Sequence, residues 1–270
     1  GVLVAVEGWD RAADLTAEEG ATRALLESQW QFQFIDAAAH WDDYKVLVLP
    51  DRVAVDAQMA ERLRAYVERG GSVLVTGETA LRGNDGALAG LLGVELAEPG
   101  GFGTHYIQAD PALGLPDMPH VMYEAPAFVR AAPGTEVLAR VVAPYFDRTW
   151  EHFSSHRQTP PDRVTEYAAI TRKGRCAFIA SPIFTAYRRY GNRVYRQLVE
   201  RCLEALVPER LVRTDTPSTA QVTLLRQEGR HVCHLLSYVA ERRTPDIDII
   251  EDVVPLRDVQ LSVAVGERPK

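Results

Sequence analysis

The sequence has no long apolar run and no excess of basic residues, and each shortage excludes a class of protein. Its 30 lysines and arginines are outnumbered by 37 aspartates and glutamates, which gives a formal net charge of −7. A surface for nucleic acid or anionic membrane needs clustered basic residues. No apolar stretch approaches the roughly 18–20 residues that span a bilayer, and no signal peptide is recognisable. Neither nucleic acid nor membrane is expected as a partner.

Cysteine is also scarce. Cys176, Cys202 and Cys233 are odd in number and far apart, which indicates reduced thiols in a cytoplasmic protein and does not suit a metal site. No Gly-Lys-Ser or Gly-Lys-Thr occurs, and Gly100-Gly-Phe-Gly103 does not follow a strong strand and open a helix, as a dinucleotide-binding fingerprint must. A flavin is compatible with the fold predicted below, but no motif supports one. We expect neither a cofactor nor a metal.

The chain further lacks an initiator methionine and ends abruptly at Arg268-Pro-Lys270. We therefore expect this chain to be part of a longer protein. Amino acids left over from an affinity tag would give the same kind of ends. What is present is ordinary for a soluble globular protein, with 46% hydrophobic and 25% charged residues. A chain of 270 residues can form one large or two ordinary domains.

Strand and helix patterns alternate through the first 95 or so residues of the sequence. Buried parallel strands are predicted at Val2–Val6, Lys45–Pro50 and Ser72–Thr76, with a short strand near Phe32–Ile35. A helix is predicted to start at Thr16, where Glu19 completes a capping box. A second helix follows Asp56 as its cap and stops at Gly70-Gly71. This alternation of strands and helices predicts an α/β fold with a flavodoxin-like, doubly wound parallel sheet.

The second half of the sequence is less regular and ends in strands alone. Strands are expected near 105–107, 121–123 and 136–146, a hairpin-like pair over 166–180, a helix over 192–206, and about three further strands after it. The tyrosines at 187, 190 and 195 are expected to serve packing and interfaces. We place a boundary near Pro208, so that residues 1–208 form the flavodoxin-like domain. Residues 209–270 form a β-rich module, which has too few strands to stand alone.

Three carboxylates are predicted at or near strand ends, where open α/β sheets bind ligands. Glu7, Asp51 and Glu78 could line one cleft there and serve acid–base chemistry or a metal, or they could simply cap helices and solvate loops. Class I glutamine amidotransferases share this rhythm and place a cysteine nucleophile after the strand that follows the Gly-Gly stop. Here that turn reads Gly77-Glu-Thr79, so thiol chemistry is excluded at this place.

A polar loop with one large aromatic ring follows the strand near 136–146. His152 and His156 have the i, i+4 spacing of a shared metal site on a helix, but the segment ends in Thr159-Pro-Pro161 and is predicted to be a loop. Trp150, His152, His156 and Arg157 combine a ring that can stack on a sugar with several hydrogen-bond donors. The alternative is that this loop packs onto its own domain.

Several runs of the sequence resemble one known family. These runs are Glu19-Gly-Ala-Thr-Arg-Ala-Leu-Leu-Glu27, Tyr44-Lys-Val-Leu-Val-Leu-Pro-Asp51 and Leu63-Arg-Ala-Tyr-Val-Glu-Arg-Gly-Gly71. They resemble the β-galactosidase trimerisation domain, the amidotransferase-like middle module of family 42 β-galactosidases. The stretches His152–Pro161, Pro182–Tyr187 and His234–Tyr238 look closer to the related group that includes family 151 α-L-fucosidases. The resemblance covers nearly the whole chain.

The resemblance implies a supporting role within a glycoside hydrolase. In those enzymes the catalytic carboxylates sit on an N-terminal (β/α)₈ barrel, and nothing in this sequence matches such a barrel. No catalytic residue is therefore carried over to this chain, and the chain alone is expected to be inactive. The implied partners are further copies of the chain, in a trimer, the catalytic barrel of the parent protein, and carbohydrate. The alternative is a stand-alone small-molecule binding module with a degenerate amidotransferase-like fold.

Overall fold

The structure is a computed structural model that describes residues 1–4, 14–82, 84, 86–244 and 247–265. The chain folds into two compact units. The first comprises residues 1–21 and 33–207, and the second comprises residues 22–32 and 208–270. Among the described residues, no helix is both long and apolar enough to cross a membrane.

A nine-stranded mixed sheet forms the centre of the first unit. The strands of this unit are β1 (Val2–Leu3), β2 (Phe34–Ile35), β3 (Val46–Leu49), β4 (Ser72–Thr76), β5 (Val94–Leu96), β6 (His105–Ala109), β7 (His120–Met122), β8 (Val129–Ala131), β9 (Glu136–Pro144), β10 (Pro161–Lys173) and β11 (Cys176–Ile179). The order across the large sheet is β2-β1-β3-β4-β11-β10-β9-β6-β7, and β5 pairs with β8 separately.

One half of the large sheet is parallel. β2, β1, β3, β4 and β11 all run in the same direction, in the 2-1-3-4-5 order of flavodoxin-like sheets with β11 in the fifth place. Parallel strands are covered on both faces and are therefore apolar throughout. Accordingly, Leu47, Leu49 and the run 73–75 are fully buried. The predicted flavodoxin-like α/β sheet is confirmed.

The other half of the sheet is antiparallel and extends the flavodoxin-like part. β11 pairs antiparallel with β10, and β10, β9, β6 and β7 continue in the same manner. Short connections such as Gly174-Arg175 between β10 and β11 allow this pairing, because only antiparallel neighbours can be joined by a tight turn. The register of β10 against β9 shifts several times. The chain between these two strands, residues 145–160, forms a long loop.

Five helices have described bounds: α1 (Thr16–Glu27), α2 (Ala57–Glu68), α3 (Ala87–Leu92), α4 (Ile183–Tyr190) and α5 (Arg193–Leu206). Asp56 caps α2 as predicted, since its carboxylate accepts the amide of Met59 at 2.7 Å. The predicted capping box of α1 is wrong. The amide and hydroxyl of Thr16 both donate to Asp14, and Glu19 forms an ion pair with Arg188 of α4.

The second unit contains short antiparallel pairs of strands, in agreement with the predicted β-rich C-terminal part. These strands are β12 (Val212–Thr214), β13 (Ala220–Gln227), β14 (Arg230–Ser237), β15 (Glu241–Arg242), β16 (Asp248–Ile249) and β17 (Leu261–Val263). β12 pairs with β17, β13 with β14, and β15 with β16. The side chain of Gln31 covers part of the β13 edge, because it donates to the carbonyl of Val222 and accepts the amide of Leu224, each at 2.8 Å.

Candidate functional site

Asp51 lies two residues after the end of β3 and is only 3% exposed. Its Oδ1 accepts the hydroxyl of Thr76 at 2.6 Å and the amide of Phe184 at 3.4 Å, and its Oδ2 accepts the amide of Thr185 at 2.6 Å. Both amides belong to the first turn of α4, where Pro182 supplies no side-chain cap. Amides in the first turn of a helix have no partner within the helix. Asp51 therefore caps α4 from another part of the chain.

Burial raises the pKa of the Asp51 carboxyl, and the hydrogen bonds from Thr76, Thr185 and Phe184 act in the opposite direction. Both oxygens are used by donors of the protein itself. A general acid or base instead needs an open side towards the proton that it moves. These contacts agree with the helix-capping alternative for Asp51.

Of the other two carboxylates named from the sequence, Glu78 does not share the surroundings of Asp51. Glu78 follows β4, is partly exposed, and forms an ion pair with Arg82. Its backbone is unstrained, with φ −92° and ψ −26°, whereas Gly77 before it has φ +74°. A Cβ at Gly77 would lie 2.9 Å from the carbonyl oxygen of Asp51, so this close turn requires glycine. Glu7 lies outside the described residues.

His105 and Ser181 form a buried pair that the sequence does not predict. His105 at the start of β6 is fully buried, and its Nε2 lies 3.3 Å from the hydroxyl of Ser181, just after β11. Its Nδ1 lies 3.3 Å from the carbonyl oxygen of Gly103. Burial lowers the pKa of His105 to about 4, so the ring is neutral at pH 7 and bridges the two groups. The pair joins residues 76 positions apart, and no local pattern predicts it.

The loop over residues 145–160 is closed at its base by Thr159. The Thr159 hydroxyl donates to the carbonyl of Phe146 at 2.7 Å and accepts the amide of Phe146 at 3.2 Å. The amide of Tyr145 donates to the carbonyl of Pro160 at 2.9 Å. The hydroxyl of Tyr106 on β6 donates to the carbonyl of Thr159. The loop thus leaves the antiparallel half of the sheet from a hydrogen-bonded base.

Near that base, Arg157 lies against two tyrosines. Its guanidinium carbon is 5.0 Å from the ring centre of Tyr123 and 5.0 Å from that of Tyr190, within the range of cation–π attraction. Its Nη2 also donates to the Tyr190 hydroxyl at 2.8 Å. The same hydroxyl donates to the carboxylate of Glu124 at 3.0 Å. Arg157 therefore ties the loop to the chain just after β7 and to α4, a role that the sequence does not reveal.

The tip of the loop carries the other residues that were named from the sequence. Trp150 is 90% exposed, and Phe153 is also exposed. His152 is exposed and its ring lies 5.9 Å from that of Phe146. His156 is exposed and its Nδ1 lies 3.0 Å from the hydroxyl of Ser155. The segment is irregular, as predicted. The tip presents one large free ring and two imidazoles on the same loop.

A shallow groove of about 560 Å³ lies elsewhere in the first unit. It is lined by Ala112, Leu113, Gly114, Glu136, Leu138, Arg172, Arg201, Glu204 and Ala205. Its charged groups are paired with one another, Arg172 with Glu136 and Arg201 with Glu204. Within the described ranges, no group of three or more His, Cys, Asp or Glu side chains is arranged to hold a metal ion.

Comparison with known families adds the decisive observation. Residues 22–207 match the family model described as the β-galactosidase trimerisation domain, which is more than half of the chain. The chain belongs to the β-galactosidase trimerisation domain family. The resemblance noted from the sequence is thereby confirmed. No protein with a curated description matches the chain.

Solved structures similar to this trimerisation-domain chain include glycosidases. The α-L-fucosidase isoenzyme 2 from Paenibacillus thiaminolyticus is 26% identical with a TM-score of 0.85, over 98% of this chain and 42% of the fucosidase. A β-galactosidase from Bacillus circulans sp. alkalophilus is 16% identical with a TM-score of 0.61, over 96% and 40%. A GH42 β-galactosidase from G. stearothermophilus is 10% identical with a TM-score of 0.60, over 96% and 39%. The last two likenesses concern the fold alone. The chain spans about two fifths of the length of these proteins.

Proposed function

We propose that this trimerisation-domain chain is the accessory region of a glycoside hydrolase of the β-galactosidase or α-L-fucosidase type. In this proposal it assembles subunits, in a homo-oligomer such as a trimer, and lies beside a catalytic barrel that carries the acid and nucleophile carboxylates. The family match and the fucosidase likeness support the proposal. The 2-1-3-4-5 order of the parallel strands supports a distant relation to class I glutamine amidotransferases.

The loop over residues 145–160 is proposed to contribute to the sugar pocket of that enzyme. The observation that carries this part is Trp150, a large ring left 90% exposed on a loop whose base is fixed by hydrogen bonds. A free ring stacks on the apolar face of a sugar, and the imidazoles of His152 and His156 can hydrogen-bond its hydroxyls. Arg157 holds the loop and retains further N–H donors for a ligand. A fixed loop presents these groups at a low entropy cost.

A reducing, cytoplasmic setting is part of the same proposal. Cys176, Cys202 and Cys233 are free, and the first two are buried. Burial raises the pKa of Cys176 to about 11 and that of Cys202 to about 12. Both groups therefore remain protonated thiols at neutral pH, and the thiolate is the reactive form. This supports a structural use of these cysteines.

The sugar-pocket proposal is tested with the full-length enzyme. Trp150→Ala and His156→Ala are compared with wild type on nitrophenyl galactoside and nitrophenyl fucoside, and the melting temperature is measured separately. A lost contact of about 1.4 kcal/mol lowers kcat/KM about tenfold. Because both side chains are exposed, the melting temperature should change little.

Leu96→Ala is the matched control, because Leu96 is also an exposed apolar residue and lies on β5 rather than on the loop. Its kinetics should equal those of wild type. Suppose that the wild-type enzyme hydrolyses these substrates and that both loop variants have normal kcat/KM. That result would show that the loop has no part in the pocket. The accessory role would then rest on assembly alone.

A further inference from the structure

We infer that Tyr190 and Glu124 are positioning residues, which hold Arg157 and thereby fix the loop over residues 145–160. The inference rests on the proposed function for its biological purpose, since a fixed loop matters when its tip meets a ligand. The positioning role itself is argued from contacts among three segments: the loop, the chain after β7, and the last turn of α4.

The first contact is the stacking of the guanidinium of Arg157. The rings of Tyr123 and Tyr190 lie 5.0 Å apart at an interplanar angle of 52°, and the Arg157 carbon is 5.0 Å from the centre of each. The two rings therefore contribute equally by distance. Stacking alone restrains where the guanidinium lies, but it leaves the rotation of its plane open, because a ring face has no single acceptor atom.

The second contact is a directed hydrogen-bond relay that fixes this rotation. Arg157 Nη2 donates to the Tyr190 hydroxyl at 2.8 Å. A phenol has one proton, and here it is donated to Oε1 of Glu124 at 3.0 Å. Arg189 Nη1 donates to the same oxygen at 2.9 Å. The carboxylate of Glu124 thus orients the hydroxyl of Tyr190 so that its lone pairs face Arg157.

The charges of this cluster favour the closed arrangement. Arg157 and Arg189 supply two positive charges, and Glu124 supplies one negative charge that lies between them through Tyr190. The side chain of Glu124 is 20% exposed, so its interactions are screened less than those of a fully exposed pair. Removal of the carboxylate takes away the one negative charge that links the two arginines, which favours release of the loop.

A matched pair of tyrosines separates stacking from the relay. Tyr190→Phe keeps the ring beside Arg157 and removes the hydroxyl of the relay. Tyr123→Phe keeps an equally distant ring, and the hydroxyl that it removes is not a member of the relay. Glu124→Gln keeps the shape of the side chain and removes its charge. All three variants leave Trp150 and the histidines of the tip unchanged.

The experiment is limited proteolysis of the 270-residue chain with trypsin under native conditions. Cleavage after Arg157 requires that its side chain leave the tyrosines and enter the protease, so its rate follows the population of the released loop. For a lost hydrogen bond to a charged group, we expect cleavage after Arg157 to be about tenfold faster in Tyr190→Phe and in Glu124→Gln. In Tyr123→Phe the rate should stay within about twofold of wild type.

The melting temperature and cleavage at tryptic sites outside the loop distinguish positioning from general stability. A positioning role accelerates cleavage after Arg157 without acceleration elsewhere. Equal rates in Tyr190→Phe and Tyr123→Phe overturn the inference. If Tyr190→Phe accelerates cleavage at all tryptic sites together, the Glu124→Gln variant is the deciding test of the positioning role. Loop-specific cleavage in that variant supports the inference, and its absence overturns it.

The kinetics of the full-length enzyme keep this result separate from the proposed function. If the loop variants are cleaved as expected but neither Trp150→Ala nor Tyr190→Phe alters kcat/KM, the sugar-pocket proposal fails and the positioning role stands. If Trp150→Ala lowers kcat/KM while Tyr190→Phe changes neither cleavage nor kinetics, the sugar-pocket proposal stands and the positioning role fails.

Discussion

At the scale of single residues, the buried carboxylate of Asp51 joins three donors from two distant segments. In Asp51→Ala the hydroxyl of Thr76 and the amides of Phe184 and Thr185 lose their acceptor in a buried place. We expect the free energy of unfolding to fall by about 3 kcal/mol, as found for buried groups left without a partner. Urea denaturation measures the change.

Asp56→Ala is the comparison for this prediction. Asp56 also caps a helix, α2, but its side chain is exposed, so water replaces the lost acceptor and the expected loss is about 1 kcal/mol. Equal losses in the two variants would contradict the view that burial makes Asp51 the more important cap.

His105 predicts a dependence of stability on pH. Its pKa is 6.5 in the unfolded chain and about 4 in the folded one, so the unfolded state binds the proton first as the pH falls. The contribution of His105 is complete above pH 6.5 and is lost as the pH falls towards 4. The loss amounts to about 3 kcal/mol. Denaturation of wild type and His105→Gln at several pH values measures the difference, and parallel curves would refute the prediction.

Whether the contacts of such residues can be predicted depends on how far away their partners lie along the sequence. The capping role of Asp56 was predicted, because its partner Met59 lies three residues away. For Asp51, capping was one of two alternatives, and the helix that it caps was not predicted, since the two amides lie more than 130 residues further along the chain. The same holds for Arg157, whose contacts Tyr123 and Tyr190 come from other segments. Composition predicted a loop that either binds sugar or packs onto its own domain, and only the tertiary structure shows how this loop is held.

At the scale of elements, α1 crosses α4 at a glycine. A Cβ at Gly20 would lie 2.0 Å from the carbonyl oxygen of Phe184, which is backbone and cannot turn aside. We expect Gly20→Ala to lower the free energy of unfolding by about 1–3 kcal/mol, because overpacking outweighs the better helix propensity of alanine. Thermal and urea denaturation measure the change.

Gly90→Ala in α3 is the matched control. It is also a helical glycine, but nothing lies within 4 Å of an added Cβ. The propensity gain of up to about 1 kcal/mol should therefore appear as added stability. A stabilised Gly20→Ala variant would show that the two helices can separate at little cost.

Among the elements, the long apolar strands were predicted well and α4 was not predicted. Every residue of Val46–Leu49 and of 73–75 is apolar, a pattern that can be recognised without knowledge of the partner strands. α4 has eight residues, follows Pro182 and has no cap of its own. Its apolar face and its cap are both completed by distant parts of the chain, so local pattern and propensity could not identify it.

At the scale of the whole molecule, the chain is expected to self-associate. Membership of a trimerisation-domain family motivates this, and association removes apolar surface from water. Light scattering behind a sizing column, at a chain concentration of tens of micromolar, should give a molar mass three times that of one chain. A dimer formed through a surface that normally faces the catalytic barrel is the competing outcome. A strict monomer would contradict a trimer interface within this chain.

The position of β11 in the middle of the sheet has a consequence for synthesis on the ribosome. β11 is the last strand of the sheet to be made, yet it pairs with both β4 and β10. Until residues 176–179 emerge, those two strands have open edges, which are prone to aggregation. A fragment of residues 1–175 should therefore precipitate or bind chaperones, whereas one of residues 1–207 should be soluble. A folded, soluble shorter fragment would show that the two halves of the sheet form independently.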